Sequence, residues 1–294
     1  MQSLTEIRNI LAAANLRPNP RLGQCFLIDQ NLLSKVVELA DIRPDRTVLE
    51  VGPGTGTLTE ELLERAQRVV AVELDRGLAR VLSDRMADRE NFRLLWADAL
   101  AGKTSLNPAM LAAIGDSCDL VANLPYSIAT PLIQMCIRQT LQVRRGGSGP
   151  EIPRMTFLVQ REVGDRFTAA PGSRDFGPVA VWVQLTCRIR QGPVLPPSAF
   201  WPRPKIDSRL LRLDFDDNLA GQLSDPDALD RVLKALFAQR RKQIGKLARQ
   251  DDRRHSRLPS LAGAVEEAGL DTAARAEQLE PRILAELANL LAAG

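Results

Sequence analysis

Between residues 47 and 123 the chain alternates four times between short apolar runs and segments of helical spacing, an order that few folds accept. The runs TVLEV (47–51), RVVAVE (68–73), FRLLW (92–96) and DLVAN (119–123) read as strands buried on both faces. Between them, 58–66, 76–87 and 108–115 carry apolar residues at helical spacing. Such alternation predicts a parallel α/β sheet with right-handed crossovers.

The flanks extend this pattern. Leu4, Ile7, Leu11 and Ala14 predict a helix over 3–15 that stops at Arg17-Pro18-Asn19-Pro20, and Asp29 is placed to cap a second helix over 30–40. Past Pro131 a helix is expected to about 142, then a loop over 143–154 and a fifth strand over 155–160. VAVWVQLTCRI (179–189) suits helix and strand equally, and RLLRLDF (209–215) suits a last, antiparallel strand. Composition shifts near Asp216. From Asp225 the pattern is helical, with 225–250 as one long basic helix and two or three more to Gly294. We therefore expect two domains, 1–218 and 219–294, in line with a length of 294 residues.

Composition excludes several classes. At 45% hydrophobic and 26% charged, the chain is neither disordered nor fibrous. Cys25, Cys118, Cys136 and Cys187 form no CxxC pair and His255 is the single histidine, so no metal site and no histidine-dependent hydrolase is expected. Four dispersed thiols suit a reducing, cytoplasmic setting. The N-terminal stretch lacks the pattern of a secretory signal. Residues 120–137 carry no charge but contain Pro125 and Pro131, a poor membrane span, so no membrane partner is expected. The net charge of +3 is too mild to imply nucleic acid by itself.

The chemistry gathers at the strand ends. Gly52-Pro53-Gly54-Thr55-Gly56 follows the first strand, where glycine lets backbone approach a ligand; a plain tight turn is the alternative. The GxGxG spacing and the donor missing at Pro53 favour a nucleoside without phosphates. Glu73, 17 residues after Gly56, is placed to accept both hydroxyls of a ribose, unless it is merely an exposed strand-end acid. Asp98 could accept from an adenine amino group or cap a helix.

Asn123-Leu124-Pro125-Tyr126 ends the fourth strand. Methylating an exocyclic amino group requires its lone pair to be freed from the ring. An Asn carbonyl oxygen and a backbone carbonyl held by the following proline can do this by accepting its two N–H bonds. Tyr126, the only tyrosine, could stack on the flipped base. No general base is needed if the donor is an activated sulfonium, so orientation and preorganised dipoles would carry catalysis. A simple β-turn is the bland alternative.

GPGTGTLT, VELD, ADAL and NLPYSIATPL resemble the rRNA adenine N6,N6-dimethyltransferase family, which dimethylates adenosines in small-subunit ribosomal RNA. RLGQCFLIDQNLL (21–33) resembles its cofactor lid, PPSAFWPRPKIDSRLLRL (196–213) its proline-rich loop and last strand, and FAQRRKQIGKL (237–247) its C-terminal domain. The resemblance implies a Rossmann-like class I methyltransferase sheet of about seven strands with a small all-helical C-terminal domain. It implies S-adenosyl-L-methionine as cofactor, with Gln24, Cys25 and Leu27 near the methionine and sulfonium end. Gly52, Gly54, Glu73, Asp98 and Asn123 would line the rest of that site. By the same likeness Asn123, Leu124, Pro125 and Tyr126 are catalytic, and Phe200 is a second aromatic clamping the base.

The implied activity is dimethylation of two adjacent adenosines near the 3′ end of 16S rRNA, by a monomer acting on a pre-ribosomal 30S particle. A large-subunit methylase of the macrolide-resistance type and a silent assembly factor are the alternatives. Cys25 stands where the family commonly has Asn, and Ser127 and Ala129 replace the usual Asn and Ser after NLPY. Residues 239–257 hold eight cations against Asp251 and Asp252, a local +6. In the appended domain of an RNA enzyme, Arg240, Arg241, Lys242 and Lys246 are expected to contact phosphates; a solvated helix face is the alternative.

Overall fold

The computed structural model describes residues 2–102, 104–125, 127–255 and 258–293. Among the described residues there are nine strands: β1 (Phe26–Leu27), β2 (Thr47–Val51), β3 (Arg68–Glu73), β4 (Phe92–Trp96), β5 (Ser117–Asn123), β6 (Glu151–Gln160), β7 (Cys187–Leu195), β8 (Phe200–Trp201) and β9 (Ser208–Phe215). Seven form one sheet in the order β4-β3-β2-β5-β6-β9-β7, and β1 and β8 make a separate antiparallel ribbon. Strands β2 to β6 run parallel and β9 pairs antiparallel with β6. The four-fold alternation thus produces the expected parallel sheet, with the antiparallel strand expected at 209–215 set between β6 and the edge strand β7. Val48, Leu49, Val69, Val70, Ala71, Leu120 and Ala122 are fully buried, as strands covered on both faces require.

This order positions the site. From β2 the chain builds outward to β3 and β4, then returns to place β5 on the opposite side of β2. At that reversal the connections leave in opposite directions, and a crevice opens beyond the carboxyl ends of the strands. Val51 pairs with Val72, and Glu73 with Trp96, so the ends of β2, β3 and β4 reach the crevice together.

Three expectations are corrected. The strand expected at 155–160 begins at Glu151, and the preceding helix runs Ala129–Arg144, so only 145–150 connect them. Arg144 Nε pairs with Glu151 Oε2 at 2.6 Å and fastens that junction. The ambiguous stretch 179–189 is both structures in succession, helix Pro178–Thr186 and then β7. The single basic helix expected over 225–250 is two, Pro226–Phe237 and Ile244–Arg254. The second is anchored separately: Ile244 N donates to Ala274 O at 2.9 Å and Gly245 N to Thr272 O at 3.1 Å. A Cβ on Gly245 would lie 2.7 Å from Thr272 Cβ, so only glycine allows that approach.

The chain divides into two compact units, Met1–Gly164 with Ile189–Phe215, and Asp165–Arg188 with Asp216–Gly294. The second unit packs Trp182, Phe176, Leu229, Val232, Leu236 and Leu287 in its interior. Trp182 Nε1 donates to Asp230 Oδ1 at 3.0 Å, which satisfies the indole on burial. No helix among the described residues is long and apolar enough to cross a membrane.

Candidate active site

The crevice is lined by the glycine loop, the ends of β3 and β5, the 97–99 turn and the segment 22–27. Gly52, Gly54 and Gly56 all have positive φ (73°, 60° and 92°), a region that side chains disfavour. Space forbids side chains as well. A Cβ on Gly52 would lie 3.2 Å from Pro125, and one on Gly54 would lie 2.8 Å from the Phe26 ring. The loop is therefore pressed between the Asn123-Leu124-Pro125 turn and the segment that begins β1.

Glu73 closes the loop from the neighbouring strand. Its Oε2 accepts from Gly54 N at 3.1 Å and its Oε1 from Asp75 N at 2.8 Å. Burial raises its pKa although both hydrogen bonds lower it. Each oxygen keeps a further lone pair toward the pocket it lines, the geometry a vicinal diol needs. Asp98 Oδ1 accepts from Leu100 N at 2.9 Å and so closes a turn, not a helix end, and the exposed residue lines the pocket.

Asn123 sits at the end of β5, where its Nδ2 donates to the Cys25 carbonyl at 2.8 Å. That bond sets the amide's orientation and leaves Oδ1 as its accepting end. Leu124 is buried and its N donates to Leu158 O at 3.1 Å, while Ile128 N donates to Pro125 O at 3.1 Å. The turn is thus fixed on both sides of Leu124. Tyr126 lies outside the described residues.

The segment 24–27 is brought to the same wall. Gln24 Oε1 accepts from Asn19 N at 2.7 Å and its Nε2 donates to Asp75 Oδ2 at 3.1 Å, so its amide braces the segment. Cys25 lines the pocket and packs against the core beside it, and burial raises the pKa of its thiol. Leu27 pairs with Phe200 across the β1/β8 ribbon. Phe200 is not brought to the pocket wall: at 2% exposure it belongs to the same core cluster as Leu27 and Leu58.

Two further residues escaped sequence reasoning. Glu50, one residue before the end of β2, is fully buried at the pocket base, where Thr59 Oγ1 donates to it at 2.6 Å. Burial, and secondarily the nearby Glu73, push its pKa up to about 8. An acid inside an apolar strand was the available signal. Gln2, also buried, donates from Nε2 to Thr55 O and to Glu60 Oε1, each at 3.0 Å, and accepts from Thr57 Oγ1 at 3.1 Å. It ties the N-terminal segment to the glycine loop, and no local pattern announces it.

In the second unit, Arg240, Arg241, Lys242 and Lys246 are all exposed. Arg240 pairs with Glu277 at 3.0 Å; Arg241, Lys242 and Lys246 have no ion pair among the described residues. Lys246, Arg249 and Arg253 follow at intervals of three and four, which aligns them on one exposed face of the helix Ile244–Arg254, and Lys242 is exposed just before its start. The acids of this stretch turn away. Asp251 is buried against Arg231 at 2.8 Å, and Asp252 caps the helix Leu261–Glu267 through Leu261 N and Ala262 N. The cationic face is left unneutralised. Arg257, part of the same run, lies outside the described residues.

Comparison with known proteins agrees with this geometry. The family described as ribosomal RNA adenine dimethylase matches residues 15–269. A ribosomal RNA small subunit methyltransferase A from Clostridium acetobutylicum is 37% identical over 280 residues, covering 92% of this chain and 93% of its own. Its counterpart from Geobacillus kaustophilus is 35% identical over 274 residues, covering 92% and 90%. Among solved structures, a dimethyladenosine transferase from Plasmodium falciparum shares the fold with a TM-score of 0.68 at 22% identity, over 89% of this chain and 95% of that one. The 23S rRNA methyltransferase ErmE matches with a TM-score of 0.62 at 25% identity, over 91% and 99%. With a class I methyltransferase sheet, a glycine loop facing a strand-end acid, and relatives alike over nearly the whole chain, this protein belongs to the ribosomal RNA adenine dimethylase family.

Proposed function

We propose that the protein uses S-adenosylmethionine to dimethylate N6 of two adjacent adenosines near the 3′ end of 16S rRNA. It acts as a monomer, in the cytoplasm, on a pre-ribosomal 30S particle. The observation that carries this reading is the oriented Asn123 amide at the mouth of a glycine-loop pocket.

The residues present fit the cofactor. Gly52 and Gly54 form a cradle that any Cβ would fill, and Glu73 offers acceptors at the place of a ribose. Ala97 and Asp98 bound the far end of the slot, where an adenine amino group finds the Asp98 carboxylate. Among the described residues no cation lines the pocket, which suits a ligand whose own sulfonium is positive. When bound, the cofactor supplies a methyl already activated toward attack by a nitrogen lone pair.

The chain's own work is positioning. Asn123 Oδ1 and the Leu124 carbonyl accept the two N–H bonds of the exocyclic amine and hold its lone pair out of conjugation with the ring. Pro125, locked in φ, keeps that carbonyl from turning. As the N–C bond forms, the nitrogen becomes cationic, and the same two oxygens stabilise the charge until a proton leaves to solvent. No protein base has to ionise, in keeping with a neutral Asn here. After the first transfer one N–H remains, so a single acceptor suffices to place the amine for the second. Tyr126, the residue after Pro125, stacks on the flipped adenine.

The test is methyl transfer from labelled S-adenosylmethionine to undermethylated small subunits, mature small subunits and large-subunit rRNA, followed by nucleoside analysis. Label as N6,N6-dimethyladenosine only in undermethylated small subunits is the expected result. Label in large-subunit RNA would reassign the substrate. RNA binding with no label anywhere would overturn the catalytic reading.

A further inference from the structure

The first unit carries an open groove that methyl transfer, as described, does not use. Leu11, Leu16, Trp201 and Pro202 form its floor, and Arg8 and Arg17 its rim. Arg203 follows Pro202 directly in the chain. The two segments that build it, 2–28 and 196–206, hold Arg8, Arg17, Arg21, Arg203 and Lys205 against a single acid, Glu6. That local +4 exceeds the +3 of the entire chain. All five cations are exposed, and none makes an ion pair among the described residues.

The groove is joined to the catalytic turn by a short chain of contacts. Arg8 lies over the Trp201 ring, 5.3 Å from its centroid. Trp201 stacks on Phe26 at 6.3 Å and 25°, and Phe26 presses on Gly54 of the glycine loop. Trp201 pairs with Phe26 in the ribbon, and the residue before Phe26 is Cys25, whose carbonyl orients Asn123. A ligand in the groove is therefore two residues of backbone from the amide that receives the target base.

We propose that this groove seats the single-stranded RNA flanking the target adenosine, with one nucleobase on Trp201 and phosphates at Arg8, Arg17 and Arg203. The inference rests on the rRNA reading above. Base–aromatic stacking beside an unneutralised basic track is how single strands are held without sequence readout. An exposed cation–π contact is weak, so a base can take the place of Arg8 on the ring while the guanidinium turns to a phosphate. A protein partner would face the same rim with fewer groups to match it: five cations against the one acid Glu6 ask for an anionic chain.

The test uses the full-length protein, a labelled single-stranded adenosine-containing RNA oligonucleotide and a duplex of equal length, across a salt series. Arg17→Glu with Arg203→Glu is expected to weaken single-strand binding roughly tenfold and to flatten the log–log salt slope by about 1.4, from two phosphates at about 0.7 each. The cofactor dissociation constant is expected to stay unchanged. Trp201→Leu is expected to weaken single-strand binding more than duplex binding; if it misfolds by thermal melting, the arginine pair alone decides. Unchanged affinity and slope in the arginine pair would overturn the proposal, as would equal losses on single strand and duplex. Intact oligonucleotide binding with weakened binding to 30S particles would overturn it in favour of a protein partner. Absence of methyl transfer by the unaltered protein is a separate result, and would count against the enzymatic reading rather than against the groove.

Discussion

At Asn123 a single bond decides which end of a symmetric-looking amide is left to accept. The Cys25 carbonyl takes the donor, from a residue 98 positions away in sequence, and on the reading proposed above the oxygen is left for substrate. Replacing Asn123 with Ala removes one of two acceptors aimed at the amine. The expected result is a loss of kcat of about 10²–10³-fold, with a far smaller change in cofactor affinity, measured by single-turnover methyl transfer and calorimetric titration. That Asn123, Glu73 and Asp98 come to one pocket was legible, because each ends or closely follows a strand whose apolar run is plain. Glu50 and Gln2 were not, because their partners come from remote parts of the chain. Glu50 also predicts a pH dependence. Its folded pKa of about 8 lies above the unfolded value of 4.5, so the folded state keeps a proton that the unfolded chain releases. That contribution is fully present below pH 4.5, fades as pH rises, and is gone above about 8. Glu50→Gln cannot ionise and keeps an acceptor for Thr59. Its Tm should therefore fall less than that of the unaltered protein between pH 6 and 8.5, by the equivalent of up to a few kcal/mol.

Among the elements, the glycine loop is the most tightly specified, since backbone angle and space both exclude a side chain at Gly54. Gly54→Ala places a methyl against the Phe26 ring and forces an unfavourable φ. A loss of about 1–3 kcal/mol by denaturant unfolding, with weaker cofactor binding, is expected. The buried strands β2, β3 and β5 could be read directly, because continuous apolar runs bounded by turns have few other solutions. The run 179–189 could not. A helix buried all round has no amphipathic period to distinguish it from a strand, and here the chain changes from one to the other at Cys187. The break between Pro226–Phe237 and Ile244–Arg254 was equally hidden. No proline marks it, and what starts the second helix is its docking on 272–274, a tertiary contact.

On the scale of the whole molecule, chemistry and electrostatics are divided between units. The glycine-loop pocket belongs to the first, and the exposed cations Lys242, Lys246, Arg249 and Arg253 to the second. A Lys242→Ala, Lys246→Ala, Arg249→Ala triple variant should weaken binding to duplex and single-stranded rRNA alike. Its salt slope on duplex should flatten by about 2.7, from three phosphates at about 0.9 each, with cofactor affinity unchanged in titration. The net +6 of that stretch was visible in sequence; that both its acids point inward was not, because capping and burial depend on neighbours. The bond between Asn123 and Cys25 has a last consequence, for how such a site can drift over generations. What the catalytic amide needs from position 25 is a main-chain oxygen, which every amino acid supplies. Selection can therefore rewrite that side chain at the very wall of the pocket without altering the reaction. A thiol at that position is therefore as compatible with the oriented amide as any other side chain would be.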